Sequence, residues 1–256
     1  MNNTAMNTTT TGFASPNHEA TKQFASGNYK ECLSNIHLAL CELRRLVAAK
    51  ESNPNHTVAA MHADQDSLFK VTTVAIDPFL LSKVPEADTS CGGIGFFDRI
   101  FLISRSNSEN DDDPLIADNG NETKICVLLL YNMAVAKHLG GLLSGSKEDL
   151  SAALNVYRMA CDFLQSRQQQ QHQGEDEEFI ENDPTLQLLG MALMNNVAHI
   201  QSCIWFHSAE SNQCIEWLRS VTQLMDPQAL QDQDFLFFFV HYYVMPSNNP
   251  VSSPAA

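Results

Sequence analysis

Cations are scarce in this chain, and the scarcity counts against two classes of partner at once. Lysine and arginine number 15 against 30 aspartates and glutamates, for a formal net charge of -15 and a pI near 4.8. A general nucleic-acid binder needs a positive face for the phosphates, and a protein docking on anionic lipid needs the same. Paired cysteines are missing too: the seven (Cys32, Cys41, Cys91, Cys126, Cys161, Cys203, Cys214) form an odd set without a CxxC. Most fall inside apolar helical runs, where free cysteines are buried, and a reducing intracellular compartment is expected, cytoplasmic rather than nuclear. The start, "MNNTAMNTTTTGFASPN", lacks the basic and apolar parts of a signal peptide. No apolar run is read as approaching the roughly 18 residues of a membrane span; the longest, "FLFFFVHYYVM" (Phe235–Met245), is short and carries His241.

What is present is globular composition: 44% apolar and 18% charged over 256 residues, enough for one large domain or two small ones. The acidic excess gathers in "SENDDDPLIADNGNE" (Ser108–Glu122) and "GEDEEFIENDP" (Gly174–Pro184), which read as solvated loops. Residues 17–50 predict two helices around a break at Gly27-Asn28, with Tyr29, Cys32, Leu33, Ile36, Ala39, Leu40 and Leu43 in three- and four-residue steps. From Leu68 the pattern changes to β-branched "LFKVTTVAI" and then "GIGFFDRIFLISR", two strands of a hairpin with a long connection. A helix over Lys124–Leu139 follows, then one opening at Ser146 with Asp149, near Lys147 and Glu148. The tract "QSRQQQQHQGEDEE" reads as a loop. Two further helices come next, then a break at Asp226-Pro227 and an aromatic segment whose helix or strand character the pattern leaves open.

The expected organisation is therefore a disordered 1–15, a helical domain over 16–245 and a disordered tail over 246–256, with the hairpin insert at about 68–105 and the low-complexity loop at about 166–183. The fold class is mainly α: three antiparallel helix pairs with a small β-hairpin insert.

The second helices of the three pairs share a spacing. A small residue (Cys32, Ala153, Cys214) precedes a larger one by four (Ile36, Tyr157, Leu218), and a small or medium one follows three later (Ala39, Ala160, Val221). One face then lets a neighbouring helix approach while the large side chain fills the groove. This spacing, with "ASGNYKE" at the first turn, resembles the tetratricopeptide repeat. The resemblance covers about half the chain. It departs in lacking the family's Trp and central Gly in the first helices, and in the 64 residues between Asn132 and Asn196 against a 34-residue period. More loosely, the "YN" and "NNVAHI" helices, the aromatic hairpin and the final "PAA" resemble a group of uncharacterised diatom proteins with such helices.

Asn132 and Asn196 stand inside apolar runs, "LLLYNMAVAKHL" and "LLGMALMNNVAHI". A buried amide without a partner costs about 1–3 kcal/mol, so each must bond within the fold or face something that will bond it later. On the family pattern they sit at the edge of a concave groove, lined further by Val135, His138, Leu139, His199, Ser202 and Cys203. The resemblance implies a non-enzymatic scaffold that binds another protein or peptide there, without a cofactor. A carboxylate clamp is disfavoured, because only Lys124 and Lys137 lie near.

Three chemistries tempt and fall short. His199, Cys203 and His207 recur at four-residue steps, but the outer two lie roughly 12 Å apart along a helix, too far to share one zinc. "SCGGIGFF" lacks the Lys-Ser/Thr of a phosphate loop. Cys91 offers a nucleophile with no identifiable base, leaving an enzyme centred there as the runner-up. Trp205, Trp217 and Phe235–Phe239 read as core or as a cap on the last helix pair. A homo-oligomer built on that aromatic segment is a further alternative.

Overall fold

Gly27 sets the first corner. Its φ of 78° is left-handed, a conformation open to glycine at little cost, and it turns α1 (Ala14–Ala25) back along α2 (Tyr29–Ser52). The amides of Gly27 and Asn28 close the end of α1 on the carbonyls of Phe24 and Gln23. The computed structural model describes residues 14–52, 69–83, 95–105, 121–171, 183–205, 208–226 and 228–244.

After α2 the chain forms β1 (Phe69–Ala75), a single turn of helix α3 (Pro78–Leu81) and β2 (Arg99–Arg105). Asp77 starts that turn: its carboxylate accepts the Phe79 amide at 2.8 Å, with Pro78 in the first position. β1 and β2 pair antiparallel, from Phe69 opposite Arg105 to Ala75 opposite Arg99. The hairpin expected from the period-2 pattern is present, and the turn of helix inside it went unforeseen.

The remaining helices are α4 (Asn121–Ser144), α5 (Lys147–Gln171), α6 (Pro184–His199), α7 (Ser208–Leu224) and α8 (Gln233–Phe239), with π-helical turns at Ile200–Ile204 and Val240–Val244. Ser146 opens α5 as the sequence implied, its hydroxyl accepting the Asp149 amide at 3.1 Å. Asp183 caps α6 by accepting from Thr185 and Leu186, and Lys124 of α4 reaches it at 2.6 Å. Helices pack in chain order: α1 on α2, α2 on α4, α4 on α5, α5 on α6, α6 on α7. The spaced residues face these seams. Cys32, Ile36, Ala39, Ala153, Tyr157, Ala160 and Leu218 are buried, while Cys214 and Val221 are half-buried. At Gly141 an added Cβ would lie 2.8 Å from Leu150 Cγ and 3.1 Å from the Leu150 backbone nitrogen, so α4 and α5 are in close contact there.

Several boundaries need correction. Ala14 and Ser15, expected in a disordered lead, are helical; residues 1–13 and 245–256 lie outside the described residues. α4 runs beyond Lys124–Leu139 at both ends. The glutamine tract is not all loop: α5 continues to Gln171, since glutamine is a good helix former, and 172–182 lie outside the described residues. The aromatic C-terminal segment is helical, opened by Asp232 accepting the Asp234 amide. α4 is also long and apolar enough by composition to cross a membrane, contrary to the reading that no run approaches that length; in this fold 72% of its apolar window is buried.

Candidate functional site

The stretch from Gly95 into β2 lies across the inner faces of α4 and α6, and the two asparagines hold it by its backbone. Asn132 on α4 accepts the Phe101 amide at 2.7 Å and donates to the Phe101 carbonyl at 2.7 Å. Asn196 on α6 does the same to Phe97, accepting at 3.0 Å and donating at 3.1 Å. Between and beside these grips the pattern continues at every second residue. The Tyr131 hydroxyl donates to the Arg99 carbonyl at 3.1 Å, and Asn195 donates to the Gly95 carbonyl at 2.9 Å. Residues 95, 97, 99 and 101 share one edge of an extended chain, because backbone groups alternate sides with period 2. β1 occupies the opposite edge of β2. A row of helix side chains thus takes the place of a third strand.

The row is closed by further bonds. Asn17 of α1 accepts from Asn132 at 3.2 Å and reaches the Phe101 carbonyl at 3.4 Å. The Tyr242 hydroxyl donates to Asn195 Oδ1 at 2.6 Å, and Asn195 donates to Asn196 Oδ1 at 3.0 Å. Asn132, Asn195 and Asn196 are all fully buried, and none of their polar atoms is left without a partner. A buried amide ladder survives only when it is satisfied in this way. Phe97 is sealed from the far side by Phe237 and Phe238 of α8, with ring centroids 5.3 Å and 5.0 Å away, and Phe101 sits edge-on to Tyr131 at 5.2 Å. At the start of the stretch, a Cβ on Gly95 would come within 2.9 Å of the His241 imidazole.

The Asn196 grip is wired further. Its Nδ2 has one proton left beyond the bond to Phe97, and the Tyr131 and Tyr157 hydroxyl oxygens share it at 3.3 Å and 3.1 Å. Tyr157 meets His138 Nδ1 at 3.4 Å, and His138 Nε2 meets His199 Nδ1 at 3.2 Å. Both imidazoles touch Phe96, with ring centroids 4.4 Å and 5.7 Å from it. Burial pushes the His138 pKa well below the ordinary value, with His199 adding to the effect, and burial lowers His199 to about 4. Burial likewise holds the Tyr131 and Tyr157 hydroxyls well above their usual range. Nearby, the buried Asp234 of α8 pairs with Arg99 and accepts from Thr73, and burial raises its carboxyl and that of Asp98.

Of the residues expected to line a groove, Asn132, Val135, His138, Leu139, Asn196 and His199 are buried here and Ser202 is half-buried at its rim. The partner the amides take is the chain's own residues 95–101. Asn17, Asn195, Tyr131 and Tyr242 were missed; the doublet Asn195-Asn196 in an apolar run was the one available signal. His199 bonds to His138, and His207, Cys91 and the Cys203 side chain lie outside the described residues. Among the described residues no group of three His, Cys, Asp or Glu is placed to hold a metal. No protein-family model, curated protein or solved structure matches the chain, so the tetratricopeptide and diatom resemblances rest on the sequence features quoted for them.

Proposed function

We propose that this chain is a non-enzymatic protein-interaction module of the cell interior, a tetratricopeptide-like scaffold whose inner face holds extended polypeptide. The supporting observation is the double grip: two asparagines on α4 and α6 each take both backbone groups of one residue, Phe101 and Phe97. Recognition through the backbone is tolerant of side chains, as in strand addition to a sheet edge. A partner protein or peptide in extended form would take the place of Gly95–Phe101 on the same amides. The charge of -15 supports a protein partner over nucleic acid or a lipid surface.

A quantitative pull-down tests the reading. The Asn132→Ala, Asn196→Ala double variant, checked for helicity, is expected to lose the partners that wild type recovers. Met159→Ser with Phe163→Ser, exposed residues on the outer face of α5, serves as the opposite arm and is expected to keep them. Equal recovery by the amide variant, or loss in the outer-face variant, overturns the inner face as the site.

A further inference from the structure

We propose that the His138–His199 pair is an acid-sensitive latch on the Gly95–Phe101 segment, acting on the Asn196 grip through Tyr157. The inference deepens the groove reading and rests on it. Its geometric basis is a one-way chain of hydrogen bonds. The Asn196 Nδ2 group can only donate, so the Tyr157 oxygen accepts from it and turns its own proton toward His138 Nδ1. His138 Nδ1 is then an acceptor, its proton sits on Nε2, and it donates to His199 Nδ1. His138 Nδ1, His138 Nε2 and His199 Nδ1 are each engaged, and this placing of the protons satisfies all three in the neutral pair.

An added proton breaks it. If His199 Nδ1 takes the proton, it meets the N–H of His138 head-on at a spacing of 3.2 Å. Relief requires His138 to move its own proton to Nδ1 and donate to Tyr157, which leaves the Tyr157 hydroxyl proton without an acceptor beside the Asn196 amide. The disturbance therefore arrives at the group that holds Phe97. Phe96, half-buried over both rings, is the side from which water can reach the new charge, and it belongs to the segment itself. Opening there hydrates the imidazolium and frees Phe97 in one movement.

Among the described residues no opposite charge acts on the pair. From α4 the pair is met by His138, from α5 by the neutral Tyr157, from α6 by His199 and from the segment by Phe96. The Asp98 and Asp234 carboxylates act on Tyr131, and each imidazole shows no influence from a Lys, Arg, Asp or Glu among the described residues. The sign follows from linkage. The open state carries ordinary histidines near 6.5 and the closed state a His199 near 4, so the open state binds more protons between these values. The closed state therefore loses ground as pH falls through that window, by up to about tenfold per pH unit for each proton taken up.

Residue-resolved amide hydrogen exchange on the full chain, corrected for the intrinsic pH dependence of exchange, reads this directly. Between pH 7 and 4 the Phe97 amide, bonded to Asn196, should lose protection by up to about tenfold per unit. The Phe101 amide, bonded to Asn132, and the α4 amides should hold theirs. His138→Asn, His199→Gln and Tyr157→Phe should each flatten the Phe97 response. Loss of Phe97, Phe101 and α4 protection in one step overturns the latch, as does a wild-type response that survives in the histidine or tyrosine variants. The measurement needs no partner, so a failed latch leaves the groove reading standing, and a failed pull-down leaves the latch to be judged separately.

Discussion

The two asparagine grips do the same job with different company. Asn132 holds Phe101 with help from one more amide, Asn17, and nothing in that set titrates. Asn196 holds Phe97 while bonded to two tyrosines, a second asparagine and, through Tyr157, two buried histidines. One end of the segment is tied by a fixed pair of amides and the other by a network whose proton positions must agree. The comparison teaches that equal geometry at the ligand does not mean equal response: the Phe97 end is the one that pH can move.

The largest expected effect sharpens this contrast. Asn196→Ala leaves both the N–H and the C=O of Phe97 buried without their partner, a loss of about 2–6 kcal/mol at roughly 1–3 per group. Asn132→Ala leaves the Phe101 N–H bare, but the Phe101 carbonyl keeps Asn17, so about 1–3 kcal/mol is expected. Urea unfolding of both variants orders them, and a larger loss at Asn132 would break this asymmetry.

How far all this could be seen in the sequence depends on whether the cause was local. The helix pairs, the turn at Gly27 and the hairpin strands follow from periodicity and backbone preference within a short window, and they were legible. So was the demand that Asn132 and Asn196 find partners. The partners themselves were not, because they are backbone atoms of Phe101 and Phe97, 31 and 99 residues away, and a backbone group carries no mark in sequence. Asn17 escaped because a polar residue near the start of an amphipathic helix usually faces water. The glutamine run is helical as far as Gln171 because the helix propensity of glutamine prevails over the loop character its low complexity suggests.

Away from the segment, the seam between α4 and α5 offers a comparison without polar chemistry. Gly141→Ala pushes a methyl to 2.8 Å from Leu150 Cγ, with the Leu150 backbone nitrogen close behind, so the helices must part by a few tenths of an ångström. Overpacking of that kind costs about 1–3 kcal/mol, and the cost should not change between pH 7 and 4, since no titrating group is involved. A pH-dependent loss in this variant would mean that acid loosens the whole stack, which undermines the assignment of acid sensitivity to the Phe97 end.

The smallest effect is expected on the outer surface, where Arg158 of α5 meets Glu210 of α7 at 2.9 Å with both side chains about half exposed, at 50% and 57%. Water screens the pair and two long side chains must be held still, so Arg158→Ala should cost no more than about 1 kcal/mol and less in high salt. The same bond viewed as a structural tie between successive helix pairs would predict more, because Glu210 also accepts from Gln201 in the π-helical turn that follows His199. Denaturation of Arg158→Ala at low and high salt decides between them. A small, salt-sensitive loss places the cohesion of these helices in the buried seams and the amide row, whereas a loss comparable to Asn132→Ala would move it to the surface.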